Sequence, residues 1–193
     1  MQQRLWNIPN TITFARMAII PLLVVLHLWV HEYAGLVSCI IFAIAASTDW
    51  VDGYLARRLN LTTAFGAFLD PVADKLMVAT ALVLQVDLMD AWWFTIIAAI
   101  IICREITISA LREWMAEIGK RANIAVHWIG KVKTVFQMIA IGALFFYQTY
   151  SFGWLYALLI VLFVIAAVLT IWSMMMYLKA AWLVIQEEPV YEE

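Results

Sequence analysis

The chain has 193 residues, 66% of them hydrophobic and 13% charged, and its 12 basic and 14 acidic side chains leave a formal net charge of −2. Soluble domains run near one-half apolar and one-quarter charged, so an ordinary soluble globule is excluded. The absence of a basic excess excludes a nucleic-acid binder, and Cys39 and Cys103, both inside apolar runs, offer neither a disulfide framework nor a thiolate metal site.

A helical membrane span needs roughly 20 mostly apolar residues. In chain order such stretches fall at about 11–30, 34–56, 64–86, 92–114, 125–148 and 153–182, separated by short polar breaks. Arg4 before the first run imitates a signal peptide, but Arg16 lies inside that run and no convincing small-residue cleavage site follows, so it reads as a retained helix. No repeat or linker interrupts the chain. The expectation is an all-α integral membrane protein of six transmembrane helices, one domain over 1–193.

The lysines and arginines belong to the N-terminus, the second and fourth connections, the C-terminal end or nearby helix turns, while the first, third and fifth connections carry none. The positive-inside rule then puts both termini in the cytoplasm. Trp29, Trp92, Trp93 and Trp154 fall at span ends, where an aromatic belt belongs. His27, His31 and His127 read as structural, and Arg58, Lys75, Lys120, Arg121 and Lys179 as anchors or snorkelling side chains.

Other charges do not belong in lipid. Arg16, Asp49, Asp52, Asp70, Asp74, Arg104, Lys131 and Lys133 lie within or at the edge of apolar segments, all towards the cytoplasmic end of their helices. An ionisable residue at membrane depth costs ~2.5–3.5 kcal/mol even on the lenient insertion scale, and such residues usually face the bundle interior. A polar cavity open to the cytoplasmic side is expected. Asp49 and Asp52 are three apart, and Asp70 and Asp74 four apart, so each pair shares a helix face. Four converging carboxylates would repel strongly unless cations neutralise them, and hard divalent cations suit oxygen donors. Two ions are expected, Mg²⁺ first and Mn²⁺ as the alternative. Gly53 and Gly66 leave room for close approach to the backbone, Arg57 offers a planar fork for phosphate, and Pro71 removes one intrahelical hydrogen bond after Asp70. Together these describe a phosphate-handling site.

The run Asp49-x₂-Asp52-Gly53-x₂-Ala56-Arg57-x₈-Gly66-x₃-Asp70-x₃-Asp74 resembles the signature of the CDP-alcohol phosphotransferases, with no position missing. Further traces are Asn7-Ile-Pro-Asn-Thr-Ile-Thr13 with Arg16, Phe65-Gly-Ala-Phe-Leu-Asp-Pro-Val-Ala-Asp-Lys75, Arg104-Glu-Ile106, Ser109–Trp114 and Gly130–Thr134. They resemble most the bacterial branch whose acceptor is glycerol 3-phosphate. That resemblance implies transfer of the phosphatidyl group of CDP-diacylglycerol to glycerol 3-phosphate with release of CMP. It implies metal binding by Asp49, Asp52, Asp70 and Asp74, with Asp74 also the general base. It implies a CDP-diacylglycerol site bordered by Asp52, Gly53, Ala56, Arg57, Gly66 and Asp70, and a homodimer in a bacterial inner membrane.

The acceptor brings a dianionic phosphate and needs cations of its own. Arg104 and Arg112 are eight apart, roughly two helical turns, and Lys131 and Lys133 enter from the next helix at similar depth. The expected phosphate pocket is Arg104, Arg112, Lys131 and Lys133, with Thr13 and Arg16 as neighbours. Two alternatives stand beside this reading: another acceptor alcohol of the same family, of cardiolipin or inositol-phosphate type, and a divalent-cation transporter. Transport would require polar positions continuing to the far side, where the spans are almost wholly apolar.

Overall fold

The computed structural model describes residues 7–59, 63–117, 124–150 and 153–187; within these, the side chains of 49–57 and 124–133 are among those outside the description. Six α-helices follow one another: α1 (Ile8–Trp29), α2 (Ala34–Leu59), α3 (Ala64–Met89), α4 (Trp92–Glu117), α5 (Ile124–Tyr150) and α6 (Gly153–Glu187). A single 3₁₀ turn, His31–Tyr33, joins α1 to α2. The described residues are all helix or short connection, as the sequence leads one to expect.

Local chemistry sets the helix ends. Asn7 caps α1 by accepting from the Asn10 N–H at 2.8 Å, with Pro9 in the first turn where its missing N–H costs nothing. Thr63 caps α3 through its hydroxyl, which accepts from the Gly66 N–H at 3.0 Å. At the far end Asp90 adopts a left-handed conformation (φ 42°, ψ 43°), stopping α3 two residues before α4 begins. Cross-helix contacts fix the directions. Asn10, Thr13 and Arg16 of α1 meet Thr63, Asp70 and Asp74 of α3 in the same order, so these helices run parallel. The short connection at Asp90 and Ala91 turns α4 back along α3, where Lys75 meets Ser109, so that pair runs antiparallel. Phe94, Arg104 and Arg112 of α4 meet Phe163, Ser173 and Tyr177 of α6 in the same order, so those two helices run parallel.

The stretches Asn10–Trp29, Trp92–Glu117 and Gly153–Lys179 are long and apolar enough to cross a bilayer, while Ala34–Thr48 and Thr134–Tyr147 are shorter apolar stretches. Charge within α3 (Asp70, Asp74, Lys75, Asp87) keeps that helix from being so by composition. Large apolar side chains such as Ile40, Val83, Ile139 and Val161 face outward, as in a protein surrounded by lipid. Trp29, Trp92 and Trp154 are among the most exposed residues and sit together at one end of the bundle. This is a membrane protein.

In lipid, helices associate through packing rather than expulsion of water, and small residues let backbones come close. Ala45, Ala73, Ala81, Ala98, Ala140 and Ala166 are all buried at such contacts. Larger residues from all six helices fill the centre, including Leu23, Phe42, Met77, Ile101, Phe145 and Phe163, with Phe94 stacked on Phe163 at 4.6 Å. Two buried polar side chains in the apolar half find partners across helices. His27 Nδ1 lies 2.8 Å from Ser38 Oγ, with Asp87 3.7 Å from its other nitrogen, and Gln85 donates to the Ile141 carbonyl at 3.2 Å. His27 therefore ties α1, α2 and α3 together, the structural role its sequence context gives it.

Candidate active site at one end of the bundle

At the end opposite the exposed tryptophans, α1 lies along α3 in a regular register. The i, i+3 row Asn10, Thr13, Arg16 rests on the i, i+4 row Gly66, Asp70, Asp74, which is how ridges of one helix enter grooves of another. The Thr13 hydroxyl donates to Asp70 Oδ1 at 2.7 Å, and Arg16 Nη1 donates to Asp74 Oδ1 at 2.7 Å. Thr13 and Arg16 are fully buried, whereas the Asp74 side chain is 38% exposed. Both aspartates are thus held from behind by α1, and Asp74 is open on its other side. This moves Thr13 and Arg16 from the acceptor pocket, where the sequence reading placed them, to the carboxylates. Depth along a span is readable in sequence; the helix a residue packs against is not.

Gly66 faces α1. A Cβ at this position would stand 2.5 Å from Asn10 Oδ1 and 3.2 Å from Thr63 Oγ1. Asn10 is buried, and its amide donates to Thr63 Oγ1 at 3.2 Å. The room the glycine leaves is taken by α1 rather than held open for a ligand, and only glycine lets Asn10 sit against the cap of α3.

On the open side of Asp74 lies a cavity of about 690 Å³ between α3 and α4, reached also by Thr134 of α5. Its charged wall is Asp74, Lys75, Glu105, Arg112, Glu113 and Glu117. Arg112 lies over the Tyr177 ring, 5.1 Å from its centroid, a cation–π placement that holds the guanidinium at the cavity edge. Arg104 is not part of this wall. It is buried in the α4–α6 contact, donating to Glu105 Oε1 at 2.9 Å and to Ser173 Oγ at 2.6 Å. Eight residues make about 2.2 turns, leaving Arg104 and Arg112 roughly 80° apart around the helix, so one enters the contact and the other borders it. Lys75, read from sequence as an anchor, lines the cavity and donates to the Ser109 hydroxyl. No sequence signal separates such a lysine from a positive-inside anchor.

Asp49, Asp52, Gly53, Ala56 and Arg57 lie on the last three turns of α2, and Lys131 and Lys133 on the first three of α5; their side chains lie outside the described residues. Among the described residues no three metal-donor side chains gather, and Asp49 and Asp52 are the expected remainder of the set. The donors that are described fit a hard cation. Asp70 and Asp74 sit on one helix face and bring carboxylate oxygens, the donors such a cation takes.

Fold and site together define a helical membrane protein whose half-buried carboxylates sit beside a cavity with a charged wall at one end. The family model for CDP-alcohol phosphatidyltransferases matches residues 6–176, and the chain belongs to the CDP-alcohol phosphotransferase family. Members of this family generally use divalent metal ions. Among its relatives, a Salmonella choleraesuis protein named CDP-diacylglycerol–glycerol-3-phosphate 3-phosphatidyltransferase is 54% identical over 176 residues, 91% of this chain and 95% of that one. Proteins of the same name from Escherichia coli K12 and Shigella flexneri are each 51% identical over the same shares.

Proposed function

We propose that this chain transfers the phosphatidyl group of CDP-diacylglycerol to sn-glycerol 3-phosphate, giving phosphatidylglycerophosphate and CMP, a step of phospholipid biosynthesis. The activity is the one its relatives are named for. The observation that carries it is Asp70 and Asp74, each bonded from behind by α1, with Asp74 on the wall of a cavity that also holds Arg112.

Asp49, Asp52, Asp70 and Asp74 would hold two divalent cations, Mg²⁺ before Mn²⁺. Such ions offset the charge of the pyrophosphate and of the departing CMP. Asp52, Gly53, Ala56, Arg57 and Asp70 border the CDP group, and Gly66 lets α1 come close enough to hold that border. Asp74, fixed by Arg16, takes the proton from the C1 hydroxyl of the acceptor. The freed oxygen bonds to the β-phosphorus of CDP-diacylglycerol as the bond from that phosphorus to CMP breaks. Positioning of this kind lowers the entropy cost of bringing two substrates together, and a general base adds ~10²–10⁴-fold in rate. Arg112, Lys131 and Lys133 receive the acceptor phosphate, while Arg104 braces α4 against α6.

The same reading places the site at the cytoplasmic face of a bacterial inner membrane, with both termini on that side and the chain a single domain that pairs as a homodimer. Purified protein supplied with CDP-diacylglycerol, Mg²⁺ and labelled acceptors tests the reaction. Release of CMP should be fastest with glycerol 3-phosphate and should stop on chelation. Activity that survives chelation, or serine or inositol phosphate outperforming glycerol 3-phosphate, overturns it.

A further inference from the structure

Four cations that α1, α3 and α4 bring to this end of the bundle fall into two kinds. Arg16 and Arg104 are buried and bonded to carboxylates, Asp74 and Glu105, at 2.7 and 2.9 Å. Lys75 and Arg112 line the cavity, and among the described residues neither forms an ion pair. The Lys75 ammonium donates instead to the neutral Ser109 hydroxyl, and the Arg112 guanidinium lies on the face of Tyr177. Both partners hold a cation in place without neutralising it. Glu105, the acid nearest Arg104, is already matched by that arginine, which leaves Glu113 and Glu117 as the further acids of this wall. Two cations held by neutral partners beside a half-exposed carboxylate form a receptor for a small molecule that ends in a dianion and carries a hydroxyl.

We infer that Lys75 determines specificity for a phosphorylated acceptor: with Arg112 it binds the acceptor phosphate, and Ser109 positions its ammonium. The inference rests on the transferase reading of the same site and adds to it a residue that the sequence reading left as an anchor. Lys75 follows Asp74 in the chain, and both line the one cavity. An acceptor can therefore place its hydroxyl at Asp74 and its phosphate at Lys75 and Arg112 in a single pose. Lys75 binds substrate; Ser109 acts only through Lys75.

The test is steady-state kinetics of the full-length protein in mixed micelles, varying glycerol 3-phosphate and CDP-diacylglycerol separately. A charge-assisted hydrogen bond to phosphate is worth enough that Lys75→Gln should raise the KM for glycerol 3-phosphate ~10- to 100-fold. The KM for CDP-diacylglycerol should stay within about 3-fold, since the inference gives Lys75 no contact with the donor. Lys75→Arg should restore most of the loss, and competitive inhibition by inorganic phosphate should weaken in Lys75→Gln. An unchanged KM for glycerol 3-phosphate, a parallel rise in both KM values, or an arginine variant no better than glutamine overturns the assignment. If Lys75→Gln does not accumulate, Ser109→Ala keeps the lysine and should raise the acceptor KM by about 3-fold, from looser positioning of the ammonium. An unchanged value there also overturns the assignment. A wild-type protein that releases no CMP with glycerol 3-phosphate refutes the transferase reading itself; an active wild type with an unaffected Lys75→Gln refutes Lys75 alone.

Discussion

Replacing Gly66 by alanine would strike the seam on which the site is built. The added Cβ would lie 2.5 Å from Asn10 Oδ1, about 0.8 Å inside the ~3.3 Å at which carbon and oxygen ordinarily meet. Asn10 is buried and bonded to Thr63, so it yields only by giving up that hydrogen bond or by taking α1 with it. Overpacking of this kind costs ~1–3 kcal/mol. A retreat of α1 by the same ~0.8 Å would stretch the 2.7 Å bonds from Thr13 to Asp70 and from Arg16 to Asp74 to about 3.5 Å, beyond effective hydrogen-bonding range. Gly66→Ala should therefore lose both thermal stability and turnover. In an Asn10→Ala background the obstructing oxygen is gone, and Gly66→Ala should cost little more. Thermal unfolding and CMP release for the four proteins of this cycle give the coupling, expected at ~1–2 kcal/mol. Additive effects, with the loss confined to CDP-diacylglycerol affinity, would show that Gly66 serves the donor directly and refute the seam.

Arg16→Met should lower turnover at least ~10-fold and destabilise the protein by ~1.5–3 kcal/mol, the worth of a hydrogen bond to a charged group, with water at the half-exposed Asp74 limiting the loss; Arg16→Lys should recover part of both in the same turnover and unfolding assays. Arg104→Met removes the bonds to Ser173 and Glu105 and should lower the unfolding temperature while leaving the KM for glycerol 3-phosphate within about 3-fold. A large rise in that KM would return Arg104 to the acceptor pocket.

Much of this architecture is legible in the sequence because lipid restricts the choices. Continuous apolar runs broken at His31, Asn60 and Asp90 delimit helices, and all six observed starts fall within three residues of those read from the breaks. The aspartates stand out because charge at membrane depth demands a reason. What the sequence withholds is which helix faces which. Thr13 and Arg16 carry the right depth, yet only the α1–α3 register reveals that they hold Asp70 and Asp74. Spacing puts Arg104 and Arg112 about two turns apart, but the offset around the helix decides that one enters the α6 contact and the other the cavity. Gly66 reads as space, and the structure says whose space it is.

In the proposed reaction Asp74, braced by Arg16 and facing the cavity, is the base, and Asp74→Asn tests this most directly. The amide keeps the size of the side chain and can still accept from Arg16, so the local packing survives. Turnover should fall by ~10²–10⁴-fold, the usual contribution of a general base, with CDP-diacylglycerol binding still measurable. A variant that releases CMP at close to the wild-type rate would contradict the assignment and the mechanism built on it.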